Sequence, residues 1–384
     1  MVSGVTTPES RLAITPVSSA ADLERFLRVP WAIYGNDSPW VPPLLSEVRE
    51  MFDPARNPFH DHADVQLFVA EDGGRTVGRV AAIVNHAHQA VHHDDVGFFG
   101  FFESKDDSEV AALLLETAAD WLAARGIRTM RGPINPSVND EVGLLLNNFD
   151  GRPTLMMPYT PPYYVRLLEE NGVIKVRTLY AYLATRANRP TEQHLRLADR
   201  LVERYGITVR NARIKDAKKE GAILERIYNQ AWEQQWGAVA MTHEEAVYLT
   251  KKLKTMADER MVLIASLKGE PAAFALAVPD WNHFLKQING RLGPIAVLKY
   301  LRYRLNPDGL KGLRLMALGV LKEHRRKGLE ALMILEMFKR GLASGYQTME
   351  ISWVLEDNAA ANNVLSTFGL QPYRTYGLFE KPIG

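Results

Sequence analysis

LRLMALGVLKEHRRKGLEALMILEMFKRGLASG (313–345) joins a strand, a basic loop and a helix in one run. The apolar run Leu313–Val320 has the length and composition of a buried strand, Lys322–Lys327 is a short basic loop, and an amphipathic helix opens at Gly328. A strand that feeds a glycine at a helix start leaves several N–H groups unpaired and aimed at one point. With the positive end of the helix dipole, they make a seat for an anion such as a pyrophosphate. His324, Arg325, Arg326 and Lys327 would surround that seat with charge.

The same pattern is found twice in the chain. With Gly100 set over Gly319 and no gap, Gly126 falls on Gly345, Thr129 on Thr348, Met130 on Met349 and Asn139 on Asn358. Upstream, LFVAEDGGRTVGRVAAIV (67–84) answers to VLIASLKGEPAAFALAV (262–278), each two apolar strands around a glycine-bearing turn. LAITPVSSAADLERFL (12–27) answers to VRNARIKDAKKEGAILERIY (209–228), a strand and then a helix. Each half reads β-α-β-β-β-α-β-α-β, a mixed sheet covered by helices. The expected division is a first module over 1–188, closed by the strand VRTLYAYLATR (176–186), a linker helix within 189–206, and a second module over 207–384.

The copies differ where it matters. HRRKG (324–328) is replaced in the first half by KDDSE (105–109), and carboxylates there suit a helix dipole but repel a pyrophosphate. The anion seat is therefore expected in the second half alone. Past the fifth strand, the first half carries Asn135, Asn139, Asp140 and Glu141, then Tyr159, Tyr163 and Tyr164 in a proline-stiffened turn. Asn135, Asn139, Glu141 and Tyr159 are its candidate substrate contacts, with helix and turn capping as the alternative.

Composition narrows the classes. A chain of 384 residues with 46% hydrophobic content can bury a large core, and a net charge of +1 gives no electrostatic case for nucleic acid. There is no cysteine, so disulfides, thiolate metal sites and acyl-cysteine intermediates are excluded. Six of the ten histidines (His60, His62, His86, His88, His92 and His93) lie in the first half at no recognised zinc spacing, and no metal is expected. No run is long enough for a membrane span and the N-terminus has no apolar leader, so the expected location is the cytoplasm. Trp232 and Trp236 share one helical face and read as core. The second half has 24 more residues between Ala265 and Gly319 than the first has between Ala70 and Gly100, and they fall in the amphipathic basic segment 281–312. That segment would cover a sheet edge, line an acyl-chain groove or make peripheral contact with a lipid surface.

VLKEHRRKGLEALM (320–333) resembles the pyrophosphate motif of the GNAT superfamily of CoA-dependent N-acyltransferases, Arg/Gln-x-x-Gly-x-Gly/Ala after a strand ending in valine. Val320, Arg325 and Gly328 match, and Glu330 departs from the final small residue. NAAANNVLSTFGL (358–370) resembles the family's later motif at Asn358, Ala361 and Gly369. Leu365 stands where many members carry the tyrosine that protonates the departing thiolate, and Leu370 replaces a phenylalanine. The tandem layout looks like a bacterial group of such proteins.

The resemblance implies an α/β fold of tandem GNAT-like domains, each a mostly antiparallel mixed sheet with helices on both faces. It also implies acyl transfer from acyl-CoA (acetyl-CoA or longer), as co-substrate, to a small-molecule or lipid amine near the cleft between the halves. The CoA site would comprise Leu318, Gly319, Val320, Arg325, Arg326, Lys327, Gly328, Leu329, Asn358 and Ala361. Glu356 is the candidate proton acceptor and Tyr376 the substitute thiolate acid, with Asp357 and His324 behind them. Two alternatives stand beside this: a long-chain acyl-CoA transferase acting on a lipid amine, and a non-catalytic CoA-binding sensor or scaffold. The acceptor and the oligomeric state are not fixed by sequence.

Overall fold

The computed structural model describes residues 12–35, 37–213, 216–233, 235–305 and 310–384. Residues 1–11 of the first module and 306–309 of the basic segment lie outside the described residues.

The first half runs β1 (Leu12–Pro16), α1 (Ala20–Tyr34), α2 (Leu45–Met51), β2 (Ala63–Asp72), β3 (Arg75–Asn85), α3 (His86–His92), β4 (Val96–Ser104), α4 (Ser108–Ala123) and β5 (Thr129–Gly132). The short strands β6 (Ile134–Asn135), β7 (Glu141–Val142) and β8 (Leu144–Leu145) follow, then α5 (Tyr163–Glu170) and β9 (Ile174–Thr185). After the linker helix α6 (Glu192–Tyr205), the second half repeats the plan: β10 (Ile207–Asn211), α7 (Ala217–Trp232), α8 (His243–Met256), β11 (Val262–Leu267) and β12 (Glu270–Pro279). Helices α9 (Asn282–Ile288) and α10 (Pro294–Leu305) fill the longer connection, ahead of β13 (Gly312–Val320), α11 (Leu329–Ala343), β14 (Thr348–Leu355), α12 (Ala359–Thr367) and β15 (Pro372–Pro382). The strand and the helix of 313–345 thus begin within a residue of their expected places.

All strands but β6 and β7, which form a two-stranded sheet of their own, join in one sheet, ordered β1-β2-β3-β4-β5-β15-β9-β14-β13-β12-β11-β10, with β8 on β15. Among the described strands only β4–β5 and β13–β14 are parallel. One feature departs from expectation. The strand 176–186 does close the first half in sequence, but it pairs with β14 of the second half, while β15 pairs with β5 of the first. Each half lends its last strand to the other, and β9 and β15 pair antiparallel at the centre.

Helices cover both faces because the strands are apolar on both. Every residue of β4 (VGFFGFFES) is buried, and eight of the ten in β12 are too. Four apolar clusters result among the described residues, two per half: around α4 and α5, around α1 and α2, around α11 and α12, and around α7, α9 and α10. In α4, Ala111, Leu114, Leu115, Ala118 and Leu122 recur at three and four residues, which is why this helix lies flat on the sheet. No described helix is long and apolar enough to cross a membrane.

Candidate active site

The second half opens its sheet at one place. β13 pairs with β14 only from Gly312 to Leu315, whereas its pairing with β12 continues to Val320. The register slips at Met316, so one extra residue bends β13 away from β14. From Met316 to Val320 the edge facing β14 therefore has no strand partner among the described residues. Leu318, Val354, Val364 and Tyr180 are partly buried on the α11/α12 side of that opening.

Beyond the strand, Gly328 adopts the left-handed conformation at φ 77°, and α11 starts at Leu329 with no side chain of the described residues capping it. Its first N–H groups are left to a ligand or to water. Arg326 is exposed and Lys327 Nζ lies 3.0 Å from His324 Nδ1. Arg325 is engaged elsewhere: it donates to the Ala231 carbonyl at 2.6 Å and holds α7 against the loop. Leu329 and Val320 bury their side chains, so only their backbones face the opening. Asn358 accepts from the Ala361 N–H at 3.1 Å, capping α12, and Leu365 is core.

The matching place in the first half is filled by the chain itself. β4 and β5 part after Phe98 and Arg131, but Asn135 Oδ1 accepts from the Phe101 N–H at 2.6 Å. The Ile134 carbonyl lies so close that a Cβ on Gly100 would fall 1.9 Å from it. At α4, Asp107 accepts from the N–H groups of Glu109 (2.9 Å) and Val110 (3.4 Å), and Asp106 pairs with Arg166. One half keeps an uncapped helix start beside an open strand edge, and the other has closed both.

Between the halves lies a cavity of about 660 Å³. Leu27, Met51 and Phe101 of the first half and Leu249, Met256 and Phe284 of the second are among its apolar walls. Asn135, Asn139, Asp140, Glu141 and Tyr159 all face it, so the structure gathers the four expected substrate contacts around one space. Burial pushes the Glu141 carboxyl up to about 7, with Arg314 opposing and Asp140 and Glu103 reinforcing the shift. Asp140 is pushed up to about 6, again by burial, against a 2.6 Å hydrogen bond from Ser137. Asn139 Oδ1 accepts from the Tyr228 hydroxyl at 2.5 Å, Tyr228 stacks on Trp232, and Trp232 packs over Gly319. The cavity wall is thus linked to the open edge of β13, and Met316 and Ala317 pack in the same cluster as Leu155, Met156, Trp281 and Phe284.

Under the cavity, a buried polar group locks the halves together. Glu350 accepts from Thr154 and Ser352 at 2.6 Å each and from Tyr373, while Arg314 donates to the Leu155 and Met156 carbonyls at 2.9 Å. Arg374 donates to the carbonyls of Gly151 and Arg152.

Glu356 lies apart from the cavity wall. It is exposed, and its carboxylate accepts from the Thr178 N–H at 3.1 Å. Asp357 pairs with Arg177, likewise outside. Tyr376 is wholly buried and its hydroxyl has no hydrogen-bond partner among the described residues; burial first, then the Glu350 charge, raise its pKa well above the phenol range against the opposing charges of Arg374 and Arg314. The histidines take separate partners: His62 with Glu245 of the second half, His86 with Asp64, His88 with Asp94, and His60 and His92 with carbonyls. Among the described residues no three of His, Asp or Glu are grouped to hold a metal. Sequence reading missed the Arg314–Glu350 lock, since a lone Arg and Glu in apolar strands signal burial but name no partner.

Comparison with known proteins is consistent with this geometry. Residues 222–370 match the acetyltransferase (GNAT) family. The chain is 35% identical over 380 residues to the bacterial ceramide synthase of Caulobacter vibrioides, covering 97% of this chain and 98% of that one. It is 33% identical over 367 residues to protein YghO of Escherichia coli, covering 94% and 93%. Among solved structures, a tandem GNAT protein from the clavulanic acid biosynthesis pathway superposes with a TM-score of 0.58 at 12% identity, over 97% of this chain and 99% of that one. A GCN5-related N-acetyltransferase from Sphaerobacter thermophilus gives 0.51 at 12% identity, over 98% and 97%.

Proposed function

Because the chain belongs to the GNAT family of acyltransferases, we propose that it moves a long-chain acyl group from acyl-CoA to the amine of a lipid base, a reading supported by its likeness to a Caulobacter protein named a bacterial ceramide synthase. The observation that carries this reading is the apolar cavity between the halves, with one carboxyl held near neutrality on its wall. A small polar amine would leave such a space mostly unfilled, whereas an alkyl chain fills it and gains about 0.8 kcal/mol per buried methylene.

The roles follow from position. CoA lies with its pyrophosphate on the start of α11, near Arg326 and Lys327, and its thioester at the open edge of β13. Glu141 accepts a proton from the incoming ammonium. The free amine attacks the thioester carbon, and N–H groups near Leu318, Gly319 and Val320 receive the oxyanion. The C–N bond forms, the C–S bond breaks, the departing thiolate takes a second amine proton, and the amide keeps the third. This moves the proton-accepting role from Glu356 to Glu141 and needs no acid from Tyr376 or Leu365.

The test is direct: palmitoyl-CoA and acetyl-CoA are each offered with sphinganine and with a water-soluble amine, and released thiol and amide product are measured. Palmitoyl-CoA with sphinganine is expected to be the fastest pair. Faster turnover of acetyl-CoA with the soluble amine would sink the reading, and CoA binding without product from any pair would favour a sensor.

A further inference from the structure

Six of the large apolar side chains exposed on this protein fall between Leu292 and Leu305. They sit on and just before α10, whose inner face is well anchored. Ala296 is buried, Tyr300 and Tyr303 pack on the rings of Trp281 and Phe284, and the Tyr300 hydroxyl donates to the Thr255 carbonyl at 2.9 Å. The turn ahead of α10 is braced on the first half: Trp31 donates to Asn289 at 2.8 Å, and Lys286 donates to the carbonyls of Ser38 and Trp40. A rotation of about 100° per residue puts Leu298, Leu301 and Leu305 on the side opposite Ala296, Tyr300 and Tyr303. Their exposures are 68%, 47% and 86%, and Ile295 beside them reaches 72%.

Charge says what covers this ridge. From Trp281 to Pro307 the sequence holds five cations (Lys286, Arg291, Lys299, Arg302 and Arg304) and no carboxylate, in a chain whose net charge is only +1. Lys299 and Arg302, both exposed, run along one side of the leucines. An apolar ridge edged by long cationic side chains matches an anionic bilayer surface: leucines enter the acyl boundary and cations stay at phosphate level. The ridge is also continuous with the cavity, since Leu292, Val297 and Tyr300 stand on its wall.

We propose that α10 seats on an anionic lipid bilayer through Leu298, Leu301 and Leu305, so that the rim of the interhalf cavity faces the membrane. Docking itself rests on the exposed ridge and its charge, whereas entry of a lipid substrate at that rim rests on the function proposed above.

Flotation of the full chain with vesicles of phosphatidylcholine and phosphatidylglycerol in equal parts, against phosphatidylcholine alone, tests it. The unaltered chain is expected to float with the anionic vesicles. Leu298→Glu with Leu301→Glu should lower the partition at least about tenfold, and Lys299→Glu with Arg302→Glu should do likewise at low salt. These side chains point outward, so the melting temperature and the CoA affinity by calorimetry should not move. An unaltered chain that stays with the buffer, or variants that float equally well, would overturn the proposal. So would a concentration-dependent dimer in sedimentation velocity that the leucine variants abolish, because the ridge would then belong to a second copy. Intact CoA binding and acyl transfer without flotation would end the docking idea alone; flotation without acyl transfer would end only the enzymatic reading.

Discussion

Glu141 shows how much one side chain can carry. Its carboxyl is half-buried against the cavity and pushed up to about 7, so near neutral pH it is poised between taking a proton and holding one. Replacement by glutamine is expected to cut kcat by roughly 10²–10⁴ while leaving CoA affinity unchanged, as transfer assays and calorimetry would read. In the unaltered enzyme the rate should fall as pH drops below about 7, because only the ionised form accepts the amine proton. Stability should respond with the opposite sign. The folded-state pKa lies above the ordinary value of 4.5, so the native state binds the extra proton, and stability is lost as pH rises between the two. Glu141→Gln removes that loss and is expected to stabilise the protein by about 1–2 kcal/mol at pH 8, after discount for the solvated wall, with little change at pH 4. An equal drop in activity with no pH-dependent gain in melting temperature would mean that the residue shapes the cavity rather than titrates in it. Asp140, pushed up to about 6 next door, is the residue to which the role would then pass.

At the scale of elements, the strand–loop–helix unit occurs twice and serves differently each time. In the second half α11 starts uncapped with Arg326 and Lys327 beside it; in the first, Asp107 occupies the start of α4. Arg326→Ala with Lys327→Ala is expected to weaken CoA binding by about tenfold or more in calorimetry. Asp106→Ala with Asp107→Ala should leave that affinity alone but cost about 1 kcal/mol of stability through the lost cap. Equal effects on affinity would show that the asymmetry does not govern the site. The acidic-for-basic exchange at KDDSE was legible because helix ends have simple electrostatics. The second closure in the first half was not. Asn135 reads in sequence as a loop residue past a strand, and only the fold shows it bonded to the Phe101 N–H with the Ile134 carbonyl pressed on Gly100. The alignment of Gly100 with Gly319 likewise gave their equivalence without its reason. Backbone crowds the first, whereas the Trp232 and Phe274 rings crowd the second. Arg325 is the converse case, matching the family motif by position while its side chain holds α7.

For the whole molecule, the exchange of last strands decides how the chain folds. An apolar strand pattern says that a segment will pair and bury itself, but not with which neighbour, so the crossing of β9 and β15 could not be read from 176–186 or 372–382. Its energetic consequence is large. β15 carries Phe379 into the core around α4, and Tyr376 and Leu378 into the core around α1, all within the first half. Each such side chain is worth about 1.5–3 kcal/mol when fully buried, and together they approach the 5–15 kcal/mol net stability of an ordinary domain. A chain stopped at Gly369 would also leave β5 without a partner on one side and β9 without β15. Both halves are therefore expected to unfold, not only the one that was shortened. Hydrogen exchange over β2 to β4 reads the first half separately, and it should lose protection in the truncated chain, while the full chain melts in a single calorimetric transition. Persistent protection of β2 to β4 after truncation would show that the first half is complete without the strand it borrows. The cavity wall between the halves would then be a docking seam, free to open, instead of a surface fixed by the crossing of two strands.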